Sequence, residues 1–396
     1  MRPHDEGRDG PPQPTCCGSA PKSADCCSTA APGPEPPRTA CCGPAAADYL
    51  YGPAAYVTGS VTTPAGAVPR VSPDLTLADR LGTWRVRWGV RRDDYRVKPG
   101  LYALGSPDET APVLVTANYK LTFDELRSSV GGLAAWLLVV DTRGINVWCA
   151  AGKGTFCAEE VARVAREMRL AEVVAHRRLV LPQLAAPGVA AHRVKDACGF
   201  RVTFGPVRLA DLPAFLAAGM KADAEMRRVT FDLRERAVLV PEVLSFAWDR
   251  RMLLAYGGIL AASSIGRDGV SLRRGLRDGA PVIGAAWLAV LAGSAVTPLL
   301  LPWLPGRAFS LKGAVAGGTL AAATTVILGR RLSPAAGLAL LAGVTAGSSY
   351  AAMDFTGCST VTSPSGVELE MRKALPWQGA AAALAVGAWL ADRLGR

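Results

Sequence analysis

The stretch Ala135-Trp136-Leu137-Leu138-Val139-Val140-Asp141-Thr142-Arg143-Gly144-Ile145-Asn146-Val147-Trp148-Cys149-Ala150-Ala151-Gly152-Lys153 holds the two elements that set the fold class. Residues 135–140 are continuously apolar and favour extended backbone, as in a strand covered on both faces of a parallel sheet. Thr142-Arg143-Gly144 breaks the run. Asn146 is a residue type that caps helices, so a helix is expected from Val147. Gly152 and Gly154, on either side of Lys153, should end it early. The expected product is a short cap helix at the carboxyl end of a strand, where open α/β sheets bind ligands. Cys149 falls in its first turn, where the helix dipole favours a thiolate. A cysteine in an apolar turn is also a common small core residue, and the spacing leaves both readings open.

Outward from this stretch, strands are expected at residues 113–117, 136–141, 178–181 and 200–204, with helices between them. Thr122-Phe123-Asp124-Glu125 has the form of a capping box opening a helix to about Val130. Residues 158–170 place Val161, Val164 and Met168 on one face, with Glu159, Arg163, Arg166 and Glu167 outside. This alternation predicts a mainly parallel, Rossmann-like α/β domain over residues 75–235.

The texture then changes. Residues 281–304, 314–329, 334–353 and 374–391 are long apolar segments rich in Gly and Ala, as helix interfaces in a bilayer are. Residues 252–266 are a shorter candidate, bounded by Asp249-Arg250-Arg251 and Arg267-Asp268. An all-helical transmembrane domain is therefore expected over residues 236–396. At the other end, residues 1–47 are rich in Pro, Gly, Ser and Ala with almost no large apolar side chain. A disordered arm is expected there, followed by a linker over 48–74. The arm lacks the apolar centre of a signal peptide.

Six of the ten cysteines lie in the arm as adjacent pairs, Cys16-Cys17, Cys26-Cys27 and Cys41-Cys42. They lack the spacing of tetrahedral zinc sites, and adjacent residues make a strained disulfide. Close thiolates on a flexible chain suit a soft, low-coordinate metal ion; they equally suit a low-complexity tail that binds whatever metal is present. The net charge of +11 has no stretch that mixes basic residues with stacking aromatics, so nucleic acid is not expected. Many Arg residues flank apolar runs instead, which reads as a membrane-surface feature. Ten cysteines without a secretory signal fit a reducing cytoplasm.

The octapeptide Asn146-Val147-Trp148-Cys149-Ala150-Ala151-Gly152-Lys153 resembles, at every position, the cap-helix signature of the mercury-methylating corrinoid proteins (HgcA type), relatives of the corrinoid iron-sulfur protein of the acetyl-CoA pathway. Val97-Lys98-Pro99-Gly100-Leu101-Tyr102-Ala103, Val115-Thr116-Ala117-Asn118-Tyr119-Lys120, Leu181-Pro182-Gln183-Leu184, Ala186-Pro187-Gly188-Val189, Gly205-Pro206-Val207-Arg208 and Asp354-Phe355-Thr356-Gly357 are similar in the same order. The resemblance covers about residues 80–396.

It implies a corrinoid cofactor held by Asn146, Val147, Trp148, Cys149, Ala150, Gly152 and Lys153, with Cys149 as the lower axial cobalt ligand and catalytic residue. The implied reaction moves methyl from methylcobalt(III) corrinoid to Hg(II), giving methylmercury, with Cys16, Cys17, Cys26, Cys27, Cys41 and Cys42 as possible captors of the ion. The implied setting is multi-pass in the inner membrane, with five helices and the corrinoid domain facing the cytoplasm. A separate small ferredoxin with two [4Fe-4S] clusters and a methyl-tetrahydrofolate-linked methyl donor are the implied partners.

The residues bear on several of these points. The chain has three histidines, His4, His176 and His192, and no Asp-x-His-x-x-Gly motif, so a histidine below cobalt is not expected. It also has no ferredoxin-type cysteine run, so electrons must come from elsewhere. With five spans Arg267, Arg273, Arg274, Arg277, Arg330 and Arg331 fall outside; with four they fall inside, as the positive-inside rule prefers. Asn146, Trp148 and Lys153 would cap, wall and charge the site, or serve only helix capping, packing and solvation. Ala186-Pro187-Gly188 and Gly205-Pro206 contact the corrinoid or are plain turns. Cys157, Cys198 and Cys358 read as core or loop thiols, with Cys358 in a polar segment, 354–366, between the last two membrane helices. Two other classes stay open: a corrinoid methyl carrier of one-carbon or acetyl-CoA metabolism, and a membrane metal-binding protein.

Overall fold

The computed structural model describes residues 55–266, 269–357 and 364–395. The three cysteine pairs, His4 and Cys358 lie outside them. Strands β1 (Val57–Thr63) and β2 (Gly66–Val71) form an antiparallel hairpin within the segment expected to be a linker. Helix α1 (Leu77–Arg87) follows, then β3 (Gly100–Leu104), β4 (Val113–Ala117), α2 (Lys120–Ser129), β5 (Ala135–Val140), α3 (Val147–Gly152), α4 (Ala158–Glu167), α5 (Leu170–Val173), β6 (Arg178–Leu181), α6 (Ala191–Cys198), β7 (Arg201–Phe204) and α7 (Leu212–Ala217).

The seven strands form one sheet in the order β1-β2-β3-β5-β4-β6-β7. Strands β5, β4, β6 and β7 run parallel, whereas β3 is antiparallel to β5. The sheet is thus mixed, with a parallel block of four strands carrying the expected alternation. Every residue of β3, β4 and β5 is buried, which explains why their sequences are apolar throughout but for the Tyr102 hydroxyl and Thr116.

Helix α2 begins two residues before the expected capping box. Its N-cap is Tyr119 and makes no side-chain cap, so Thr122 and Asp124 already lie inside the helix. Asp124 instead accepts from Lys120 Nζ at 2.5 Å and Arg127 Nε at 2.9 Å. The buried Arg127 also donates to the carbonyls of Ser72 and Asp74, at 2.5 and 2.9 Å, tying the chain after β2 to α2. Burial pushes the Asp124 carboxyl up, against the opposing pull of Lys120 and Arg127. In α4, Val161 and Val164 are buried as their spacing predicts.

The remainder is helical: α8 (Leu233–Leu244), α9 (Arg250–Ser264), α10 (Leu272–Leu291), α11 (Thr297–Leu299), α12 (Phe309–Leu328), α13 (Pro334–Gly357) and α14 (Pro364–Leu394). A π-helical turn, Ala292–Val296, joins α10 to α11. Among the described residues four helical stretches are long and apolar enough to cross a membrane: Leu272–Leu299, Phe309–Arg331, Pro334–Thr356 and Gly366–Leu394. The expected fifth span corresponds to α9, whose 15 residues reach about 22 Å against about 30 Å of hydrocarbon. The first span begins before residue 281 because α10 runs straight through Pro281.

The chain divides into two compact units. The sheet unit ends at Thr76, resumes at Arg96 and closes at Ala222; the helical unit comprises Leu77–Tyr95 and Asp223–Arg396. Helix α1 is therefore inserted into the sequence of the sheet unit but belongs to the helical one.

Candidate functional site

Strand order reverses at β4, which has β5 on one side and β6 on the other. The carboxyl ends of these parallel strands define the edge at which open α/β sheets bind ligands. Asn118, the first residue after β4, is fully buried there. Its Nδ2 donates to Asp141 Oδ1 at 2.9 Å, and its Oδ1 accepts from the backbone N–H groups of Thr142 and Gly144 at 3.0 and 2.9 Å. Asp141 Oδ1 accepts in addition from the Arg143 N–H at 2.9 Å. One amide thus organises the turn that leaves β5.

That turn has both central residues in the left-handed region, Arg143 at φ 58° and Gly144 at φ 73°, and closes with Ile145 N–H donating to Thr142 O at 3.2 Å. Such a type I′ geometry favours Gly or Asn. Gly144 meets a further demand, since a Cβ there would lie 2.6 Å from Arg96 Nε.

Helix α3 follows as expected. Asn146 is its N-cap, in extended backbone, and its side chain accepts from the Cys149 N–H at 2.9 Å. The helix stops after six residues: Gly154 takes φ 74°, and Ala150 O accepts from Thr155 N–H at 2.9 Å and Phe156 N–H at 3.1 Å. Val147, Ala150 and Ala151 are buried and anchor α3. Asn146, Trp148 and Cys149 are half-buried, and Gly152 and Lys153 are exposed.

Of the two outer loops, only one is brought to α3. A Cβ on Gly188 would lie 2.7 Å from Ala151 Cα and 2.6 Å from Phe156 O, so glycine lets the 186–188 loop pack directly on the cap helix. Gly205 instead continues the β6–β7 pairing, its N–H donating to Leu181 O at 2.8 Å.

The described histidines and the other described cysteines have local roles. His176 sits with Nε2 2.9 Å from Ala111 O, and its Nδ1 accepts from Arg178 N–H at 3.2 Å; His192 is exposed on α6. Cys157 is the N-cap residue of α4, while the Cys198 thiol donates to Val194 O at 3.2 Å. Among the described residues no three His, Cys, Asp or Glu side chains converge as a metal centre. A cavity of about 650 Å³ does occur in the helical unit, lined by Ser310, Thr345, Ser349, Glu370 and Gln378, but it carries none of the expected site residues. The residue that sequence reasoning left out of the site is Asn118. Its one visible signal is an amide directly after a fully buried, mainly apolar strand.

Residues 72–216, which contain this site, match the family described as CO dehydrogenase/acetyl-CoA synthase delta subunit. The chain is 39% identical over 127 residues to the acetyl-CoA decarbonylase/synthase complex subunit gamma of Methanopyrus kandleri, covering 32% of this chain and 27% of that one. It is 37% identical over 118 residues to the Archaeoglobus fulgidus subunit of the same name, covering 29% and 25%. With the corrinoid/iron-sulfur protein large subunit of Moorella thermoacetica it shares 32% identity over 127 residues, covering 32% and 28%. The sheet unit is therefore similar to corrinoid-linked proteins of acetyl-CoA metabolism. The chain spans about a quarter of the length of these relatives.

Proposed function

We propose that this is a membrane-attached corrinoid protein that transfers a methyl group to Hg(II), with Cys149 as the axial ligand beneath cobalt. The observation that carries the reading is the presentation of Cys149: half-buried on the first turn of a short helix at the carboxyl edge of the sheet, its N–H fixed by Asn146. A lone thiol is a poor metal site by itself. It suits an axial position on a metal already held by a macrocycle.

The neighbourhood fits a flat ring. Gly152 lies one helical turn beyond Cys149 and is not at positive φ, and a Cβ there would meet nothing within 4 Å. Neither backbone nor internal packing requires glycine at this position; its effect is to leave the surface beside the thiol level. A corrinoid bound here would supply a transferable methyl group, and the soft Cys149 thiolate would be the side chain that holds its cobalt. The protein's part is positional. Asn118 fixes the turn, Asn146 fixes the first helical turn, Val147, Ala150 and Ala151 anchor the helix, and Trp148 and Lys153 border the thiol.

The choice of Hg(II) as acceptor is supported by the octapeptide resemblance and by the four helices of membrane-spanning length. Within this reading the inner membrane holds the helices, the sheet unit faces the cytoplasm, the arm cysteines collect Hg(II), and a separate two-cluster ferredoxin and a methyl-tetrahydrofolate-linked donor restore the cofactor. The matched region itself has three cysteines, Cys149, Cys157 and Cys198, one short of the four thiolates of a cubane cluster. A second reading, a methyl carrier of acetyl-CoA metabolism, is favoured by the names of the relatives.

One experiment separates them. Full-length protein reconstituted with corrinoid should form methylmercury, and Cys149→Ala should abolish it and change the Co(III) absorption spectrum. An unchanged spectrum would remove Cys149 as ligand. A changed spectrum without methylmercury from the unaltered protein would leave the carrier reading.

A further inference from the structure

Arg143 occupies the first central position of the turn between β5 and α3, three residues before the Asn146 cap. Its φ of 58° lies in the left-handed region, where a Cβ crowds the backbone carbonyl and where Gly, Asn or Asp would sit with less strain. The turn cannot relax, because Asn118 and Asp141 bind the backbone N–H groups of Thr142, Arg143 and Gly144. The side chain is exposed and has no hydrogen-bond or ion-pair partner among the described residues. A rigid, strained turn thus presents an unpaired guanidinium on the same edge as Cys149. Strain of this kind is characteristic of ligand clamps.

We infer that Arg143 binds the phosphodiester in the nucleotide arm of the corrinoid; this rests on the corrinoid reading above. When a protein thiolate occupies the lower face of cobalt, the cofactor's own nucleotide base is displaced, and its arm must be held elsewhere. The arm's one formal negative charge is its phosphodiester. A guanidinium offers paired N–H donors matched to two phosphate oxygens, which a flexible ammonium such as Lys153 does not. The two cations flanking α3 then divide the cofactor: Arg143 takes the arm, and Lys153 stays with the ring and thiol.

The test compares cobalamin, which carries the arm, with cobinamide, which lacks it, binding to the detergent-solubilised full-length protein. Only cobalamin has a nucleotide base to displace, so the readout is the change that substitution makes in the affinity for each corrinoid. Arg143→Gln should lower cobalamin affinity about ten- to a hundredfold, as expected for loss of a charge-assisted pair, and leave cobinamide affinity unchanged. Arg143→Gly should do the same while the corrinoid-free protein melts at an equal or higher temperature, because glycine relieves the turn. An equal loss for both corrinoids in Arg143→Gln would overturn the inference, as would no loss for either. The last result would move Arg143 to a contact with an acidic protein partner. Failure of the unaltered protein to bind either corrinoid would instead overturn the corrinoid reading on which the inference rests.

Discussion

In the sheet unit the large side chains are inside: Trp136, Leu137, Leu138 and Phe156 are fully buried. In the helical unit Phe355 and Val344 are buried, but many large side chains are outside. Val326, Ile327 and Trp377 are 80, 81 and 78% exposed, while the helix contacts are made by Gly293, Gly313 and Gly317. All three glycines approach Ser348 on α13, and Ser348 Oγ donates to Gly313 O at 2.8 Å. Water drives the first arrangement by expelling apolar surface. The second suits surroundings as apolar as the side chains, where close backbone approach holds helices together, consistent with four helices long and apolar enough to cross a membrane. The two units are built for different solvents, and their polar groups differ accordingly. The sheet unit buries an amide with all its partners supplied; the helical unit uses hydroxyls to join neighbouring backbones.

Asn118→Leu should have the largest effect on this contrast. The leucine fits by size but leaves the N–H groups of Thr142 and Gly144 without their acceptor, a loss of about 3 to 5 kcal/mol in the sheet unit. Chemical denaturation should show the loss together with poor corrinoid retention. A loss below about 1 kcal/mol would mean that the turn is held by something else. Leu384→Arg comes next. Leu384 is 50% exposed on α14, and on a water-facing helix the change would be within about 0.5 kcal/mol. Facing lipid, it should cost about 3 kcal/mol and reduce membrane insertion, measured as the fraction recovered in the membrane. Normal insertion would break the comparison. Gly152→Val should do least to stability, within about 0.5 kcal/mol, because a side chain there enters open space. Corrinoid binding should nevertheless be lost, and full binding would remove the level surface beside Cys149 from the argument.

What could be read from the sequence is what a few neighbouring residues decide. Asn146 caps a helix whose N–H it reaches three residues away, and Gly154 stops it four residues after Ala150. Strand β5 was legible because both its faces are buried, and the four long apolar helices because lipid demands both length and composition. The hairpin β1–β2 was not, since Val57-Thr58-Gly59-Ser60-Val61-Thr62-Thr63 offers little to bury and is mostly exposed. Nor was the antiparallel β3, whose direction follows from pairing with β5 and not from its own residues. The false capping box shows the opposite failure. A correct local pattern lay inside a helix whose start is set at Tyr119, a residue bridged to Arg96. Asn118 escaped notice because its partners stand 23, 24 and 26 residues along the chain.

The membership of residues 77–95 bears on how the chain is made. Strands β1 and β2 emerge from the ribosome first, and the rest of the sheet follows by residue 222, so that unit can close while synthesis continues. Helix α1 emerges between them but finds its unit only after residue 223 onward has appeared. During that interval Trp88, directly after α1, lacks Trp248, whose ring centroid lies 5.8 Å from its own in the complete unit, and Val86 of α1, buried there, is left without the rest of its unit. A soluble fragment ending at residue 222 would keep α1 permanently in that condition. Replacing residues 77–95 with a short polar loop is therefore the way to obtain the sheet unit alone in water.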